Sequence, residues 1–544
     1  MATRYFNWKL ATVLLVAFTT LAVAAYALHR WQRTIRSVQA LPEGEKAYAG
    51  QDWDTAAERL GSYLAVNRDD VEILIKYADA QLKRRPRTPS NVEQAIAAYR
   101  DVLRLDSRHR EATKRLVEVY LWPSWNAPAE ARLIAENYLK SRDDVEIRRM
   151  LADALRQQRM LKEAADELNK ILQKHPEDVL TYEKMGMLAE QNPDVVGKPA
   201  ADWYDDAIAA NPQAALAYLV RAGFYLRQKG RYEAVGNPEQ ARQNRDRAVA
   251  DLEQAEKYDL SDKDTRLRLV VGLKNANLLD KAREHLQTLQ AKEPTEVSVW
   301  LQSADLAARG KSTEEMYTVA ETALKALAAQ PWDFMAAATE LLIRSGHVAE
   351  ANECIARMRK KDVDPPAAAF LEGLLADQQG RLRDAVASWR TALTLGYRRS
   401  IVRLQLAYAL TRLGDVESAI GQLRLLVADA PGNVEGHMAL ARLLAQRGNW
   451  PEVQEQALQV QRLSRDQPDA VLLELQARAQ MLAADTALAP EREKAWQDLE
   501  ARLIELDKKS AGSPAVKLLE TRVAMTRGKF PEATALLKDL EAGN

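Results

Sequence analysis

The sequence predicts an all-α protein: a solenoid of stacked helix–turn–helix units behind one transmembrane helix. Three observations carry that reading. Gly346, Gly380, Gly414 and Gly448 stand 34 residues apart, with Ala351, Ala385 and Ala419 five residues after the first three and Val453 in the fourth place. A second small-residue ladder, Gly373, Ala407 and Ala441, has the same step. A fixed period of this size marks stacked supersecondary units, and 34 residues suits a helix–turn–helix. Finally, Leu10–Leu28 is a run of 19 residues without a charged side chain.

One unit shows why those positions are small. Over Ala367–Gln379, the residues Phe370, Leu371, Leu374 and Leu375 fall at helical spacing. Gly380 ends that helix, because a left-handed residue without a Cβ closes it at little cost. Leu382–Leu395 forms the second helix, with Val386, Trp389, Ala392 and Leu393 on one stripe. The two helices are expected to cross at Gly373 and Ala385, where a larger side chain would force them apart. Neither helix buries its stripe alone, so each unit needs the next. A small residue in the first helix, Gly at the turn and Ala early in the second is the pattern of the tetratricopeptide repeat, and the chain resembles that family. The family's Trp and Pro positions are filled only irregularly. The resemblance implies a right-handed α-solenoid of about 13–14 repeats over residues 45–544.

For 544 residues a single compact core would be unusual, but a solenoid grows lengthwise without enlarging its core. Lys plus Arg and Asp plus Glu are equal at 77 each. A nucleic-acid binder normally carries a basic surplus to displace counterions, so nucleic acid is not expected as a partner. Cys354 is the only cysteine. It can make no internal disulfide and reads as a small buried residue of a second helix.

In chain order, residues 1–9 are a short tail with Arg4 and Lys9, 10–28 the transmembrane helix and 29–44 a juxtamembrane linker. At helical rise the apolar run spans about 28 Å, close to the hydrocarbon thickness of a bilayer. Arg30, Trp31, Arg33 and Arg36 follow it, an interfacial aromatic among cations. The competing reading is a cleaved signal peptide with Ala25-Tyr26-Ala27 as a small-x-small site. The run is long for such a segment, and a basic cluster would be odd at a mature N-terminus. Counting the α-amine, three positive groups lie on each side of the run, so the positive-inside rule leaves orientation open. The short tail favours an array outside the cytoplasm. The expected location is a bacterial inner (cytoplasmic) membrane, single-pass, with a periplasmic array.

Gly50–Asn67 reads as a partial unit. The phrase Arg68-Asp69-Asp70-Val71-Glu72-Ile73 returns 74 residues later as Arg142-Asp143-Asp144-Val145-Glu146-Ile147. Its chemistry is a helix start, with Asp capping free N–H groups and Glu in the first turn; a metal or acid/base pair is the weaker reading. Further units fall at Val71–Leu105, Glu111–Arg142, Asp144–His175 and Val179–Asn211, with later turns near Asn277–Leu278 and Gly310. Trp122–Pro128, Asn192–Pro199 and Gly230–Asn244 break the pattern. Such insertions are either binding loops or tolerated surface length. The last unit carries Gly528, Phe530, Ala533 and Leu537 and shows no obvious polar capping helix.

Motifs for chemistry are missing. The six histidines are scattered without i, i+3 or i, i+4 pairs, and neither Cys-x-x-Cys, Gly-x-Gly-x-x-Gly nor Gly-x-Ser-x-Gly occurs. No catalytic, metal or cofactor-binding residue is expected, and no cofactor. A binding surface is the better idea. The resemblance implies that first helices line a concave groove, which makes Arg344, Phe370, Tyr408, Arg412, Met438 and Arg442 the groove candidates. Arg and aromatic side chains commonly carry interface energy; part of the set, Phe370 and Met438 above all, also suits the inter-repeat core. The Lys/Asn clamp with which some of these repeats hold a chaperone's C-terminal carboxylate is not recognisable.

The resemblance therefore implies a membrane-anchored, non-catalytic scaffold for protein or peptide partners in a bacterial envelope assembly. Two other expectations stand beside it. One is a periplasmic component of polysaccharide or protein export, with Trp122 and Trp125 as sugar contacts. The other is a substrate-recognition accessory of a separate enzyme.

Overall fold

A computed structural model describes residues 15, 18, 19, 37–84, 88–234, 237–328, 332–360, 363–397, 400–464, 467–484, 490–509 and 513–542. The described residues form helices joined by short turns, with no strand among them. Contacts divide the chain into two units, Met1–Pro212 and Gln213–Asn544.

In the first unit a helix over 37–49 precedes Trp53–Leu64. The pairs Val71–Lys83 with Pro89–Leu105, Arg110–Leu121 with Pro128–Leu139, and Val145–Gln157 with Leu161–Lys174 follow. Val179–Gln191 and Ala200–Ala210 close the unit, with the short Pro193–Val196 between them. The second unit opens on the long pair Ala215–Ala234 and Pro238–Ala255, so Gly230, in the irregular stretch, lies inside a continuous helix. Regular pairs then run from Lys263–Asn275 with Leu279–Lys292 to Pro514–Thr526 with Phe530–Ala542. A first helix touches its own second helix and the first helix of the next repeat, as Trp332–Arg344 touches Val348–Met358 and Pro365–Gln378. This is an all-α solenoid of tetratricopeptide-like helix pairs within each unit. Helix pairing also reaches back into the stretch expected as a linker, since a Cβ on Gly44 would lie 2.7 Å from Leu60.

The helix starts follow the capping chemistry. Asp70 accepts from the Ile73 amide at 3.2 Å, and Asp144 from the Ile147 amide at 3.1 Å. Each satisfies one of the free N–H groups of a first turn, an interaction worth about 1 kcal/mol. The preceding aspartates serve packing between elements: Asp143 pairs with Arg148 at 2.8 Å and with Lys174 at 2.5 Å.

The helix-to-helix turn is the same along the array, but glycine is not its only occupant. Gly346, Gly380, Gly414 and Gly448 have φ of 84°, 74°, 82° and 72°, while Gln51, Arg159, Asn277 and Lys311 have φ of 60°, 65°, 63° and 57°. The residue after each left-handed position can bond back to the carbonyl five residues earlier, as Arg381 does to Ala376 at 2.8 Å and Met160 to Leu155 at 3.0 Å. That bond satisfies a carbonyl the helix end leaves free. The turn expected near Gly310 has its left-handed residue at Lys311, and the partial unit expected from Gly50 has one at Gln51.

The crossing of paired helices also differs in detail from the expectation. Ala385 is fully buried, but what faces Gly373 is Trp389: a Cβ there would stand 2.3 Å from the indole nitrogen. The indole, itself fully buried, donates to the Phe370 carbonyl at 3.1 Å. Gly186 opposes Tyr204 in the same way, at 2.5 Å.

The transmembrane helix expected over residues 10–28 lies outside the described residues apart from Leu15, Phe18 and Thr19. Among the described residues no helix is long and apolar enough to cross a membrane. The single-pass inner-membrane location is corrected accordingly.

Candidate functional site

The six groove candidates all sit on first helices of the second unit and separate into two groups. Phe370 and Met438 are buried at 7% and 6% exposure. Phe370 stacks on Tyr397 with ring centroids 5.3 Å apart, and Met438 packs with Val460 and Ala470. Both belong to the inter-repeat core, because the first helix is covered on two sides and has little face left for apolar groups. Arg344, Tyr408, Arg412 and Arg442 are the outward set. Tyr408 donates to Glu435 at 3.0 Å, Arg412 pairs with Asp377 at 2.5 Å and Arg442 with Asp469 at 2.7 Å. Arg344 donates to the Ala308 carbonyl at 3.2 Å. Each contact joins successive first helices. Burial and the Glu435 carboxylate together push the Tyr408 hydroxyl up to about 12.

These contacts form a ladder with a readable offset. The pairs Glu45–Lys76, Tyr48–Asp79, Asp153–Lys184 and Lys274–Asp305 are each separated by 31 residues. That is one helical turn short of the repeat, so the partner lies diagonally across on the next first helix. Tyr408–Glu435 and Arg442–Asp469, at 27, are two turns short. Sequence reading missed the ladder, although opposite charges at this offset on first helices were available to find it.

The two rungs at 27 are exposed and the four at 31 are part-buried, with Lys274 the most buried. Its side chain is 3% exposed, bonded to Gln302 and to Asp305 at 2.6 Å. Burial lowers its pKa against the pull of that carboxylate. Asp305 is half-exposed and also takes Arg309 at 3.1 Å.

Among the clefts that open between helices, two have well-defined linings. One, of about 370 Å³, lies between the second helices Leu279–Lys292 and Thr313–Ala326 and is crossed by the Arg283–Glu315 pair at 2.7 Å. The other, of about 310 Å³, lies on the first-helix side of the first unit, between Val145–Gln157 and Val179–Gln191. Leu121, Ala152 and Leu188 are among the residues of its floor, with Asp153, Arg156, Lys184 and Met187 at its rim. Leu121 leads directly into the Trp122–Pro128 insertion, whose Trp122 and Trp125 are half-buried.

His437 and Cys354 are packed. His437 is buried, with Nδ1 2.7 Å from Gln456 Oε1 and Nε2 3.0 Å from the Pro431 carbonyl. Cys354 is a buried free thiol, raised in pKa by that burial. Among the described residues no three His, Cys, Asp or Glu side chains converge as a metal site.

Residues 126–179, 338–396, 370–434 and 404–462 match the tetratricopeptide repeat family model. No curated protein matches the chain. Among solved structures it is similar to yeast Tom70, at 12% identity and a TM-score of 0.40, over 85% of this chain and 99% of that one. It is also similar to the APC/C hetero-tetramer Cut9–Hcn1, at 12% identity and a TM-score of 0.32, over 81% of this chain and 96% of that one. At those scores neither likeness bears on function.

Proposed function

We propose that this protein, an array of tetratricopeptide-repeat helix pairs, is a non-catalytic scaffold that binds protein partners on the face built by its first helices. The observation that carries the reading is the outward group of Tyr408, Arg412 and Arg442 on consecutive first helices. Arg and Tyr are the side chains that most often anchor interfaces. The ion pairs of Arg412 and Arg442 leave both guanidinium groups more than half exposed, at 54% and 57%. Exposed pairs contribute only about 0–1 kcal/mol, so a partner's carboxylate can replace Asp377 or Asp469 at little cost. The buried core beneath holds the donors at fixed spacing, which reduces the ordering cost of association.

The test is capture from extract of the native cells with three forms of the chain: wild type, Tyr408→Ala/Arg442→Glu, and Arg424→Glu as a control. Arg424 pairs with Glu452 at 2.6 Å between second helices. Proteins retained by wild type and by the control, but lost from the first-helix variant, are expected. Identical sets from all three forms sink the proposal.

A further inference from the structure

We infer that the cleft between Val145–Gln157 and Val179–Gln191 takes an apolar side chain of a partner peptide whose neighbouring residue is Asp or Glu. The inference rests on the scaffold reading and assigns it a second, chemically distinct contact. The floor supplies the apolar half. Ala152 and Leu188 are each 2% exposed, and Leu121 is half-buried beside them. Their surfaces make a dry base, and the small Ala152 side chain leaves room above it. At about 310 Å³ the cleft is at the small end of ligand sites, about 300–1,000 Å³, a size for an anchoring side chain. Met187, at 38% exposure, stands at the rim. Its unbranched thioether can close over side chains of different shape.

The rim supplies the charge. The charged residues lining the cleft are Asp153, Arg156 and Lys184. Lys184 holds Asp153 at 2.6 Å, whereas Arg156 reaches the same carboxylate only at 3.9 Å, beyond hydrogen-bond distance. One carboxylate thus answers two cations, and the rim has an unbalanced positive charge centred on Arg156. A guanidinium in that state binds a carboxylate in fork geometry. Apolar floor and cationic edge together select an acidic peptide with an apolar anchor. A neutral or basic one would leave the surplus unmatched.

The experiment uses the full chain and three fluorescein-labelled peptides read by anisotropy. The first has a central Leu flanked by Glu on both sides, the second has Gln in place of both Glu, and the third has Ser in place of Leu. The first is expected to bind at least about tenfold more tightly than either control, since a charge-assisted bond and a buried side chain are each worth that much. Arg156→Glu should bring it to the level of the Gln peptide. Met187→Ser should weaken it about threefold or more, consistent with partial loss of one apolar contact. Arg424→Glu, between second helices of the other unit, should change nothing. Arg156 and Met187 lie at the surface; should Arg156→Glu shift the thermal midpoint by circular dichroism, Arg156→Gln serves instead. Failure of the first peptide to bind, or binding indifferent to the Arg156 variants, overturns the inference. Capture of partners through Tyr408 and Arg442 is a separate readout, so the scaffold reading can stand when this one falls.

Discussion

Residues 332–463 and residues 263–326 both alternate first and second helices, yet the first stretch turns on Gly346, Gly380, Gly414 and Gly448 and the second on Asn277 and Lys311. Their interiors differ as well. The apolar cluster of the first stretch, in which Trp389 fills the space that Gly373 leaves, continues into the second as far back as Trp300. The second places a buried ammonium, Lys274, where its successive first helices meet. One backbone plan therefore accepts two kinds of repeat. The left-handed turn is fixed by the geometry of the helix pair, and glycine only makes it cheaper. Both stretches join neighbours by apolar filling, and the second adds a buried ion pair, with a different consequence for stability.

The largest expected effect lies in the regular stretch. Trp389→Ala should cost about 3–5 kcal/mol, because it empties a fully buried site and removes the indole's bond to the Phe370 carbonyl. Gly373→Ala should cost about 1–3 kcal/mol by overpacking against the indole. A Cβ on Gly421 meets nothing within 4 Å, so Gly421→Ala should instead stabilise its helix by about 0.5–1 kcal/mol. Urea unfolding of the three variants decides it. Equal effects of the two glycine substitutions would mean that the close approach to Trp389 is not what Gly373 provides.

A smaller effect tests the ion pair. Asp305→Ala leaves Lys274 buried without its carboxylate and should cost about 2 kcal/mol, below the fully buried case because Asp305 is half-exposed. Lys274→Met should be neutral or stabilising, since Asp305 keeps Arg309. The pH dependence follows from the depressed Lys274 pKa. Between that value and the ordinary 10.5 the unfolded chain binds more protons than the folded one. Wild type should therefore gain stability relative to Lys274→Met as pH rises toward 10.5, and lose none of that gain above it. A flat difference from neutral pH upward would show that burial does not burden the ammonium.

The smallest effects concern the turns and run in opposite directions. Gly380→Ala should destabilise by about 1 kcal/mol, the cost of a Cβ at positive φ. Lys311→Gly and Arg159→Gly should stabilise by somewhat less than about 1 kcal/mol, because relief of that strain is offset by the greater freedom of glycine in the unfolded chain. Thermal melts of the three variants are the check. A loss of stability at Lys311→Gly would mean that the lysine side chain, rather than the backbone, holds that turn.

Much of this was legible in the amino-acid order. The period placed the glycine turns of the regular stretch, and the Asp-Asp-Val-Glu-Ile phrase located two helix starts that the structure caps with Asp70 and Asp144. The turn near Gly310 was legible too, but not that its left-handed residue is Lys311, because residue type alone favours the neighbouring glycine. Among the six groove candidates, Phe370 and Met438 already stood out as suiting the inter-repeat core, but the sequence left groove and core open for both. Pro365–Gln378 is apolar nearly all round, with buried residues from Ala367 to Ala376 on every side of the helix. Where a helix is covered by two neighbours its apolar stripe is too wide for periodicity to say which edge faces out.

The sequence by itself determined the repeat, the helix pairing and the caps, because each depends on residues close together in the chain or on a fixed period. Only the tertiary structure decided that Phe370 and Met438 sink into the core, that Trp389 lies against Gly373, and that Arg156 edges an apolar cleft. Those outcomes depend on the angle and offset at which successive helices meet, set by all the side chains between them at once.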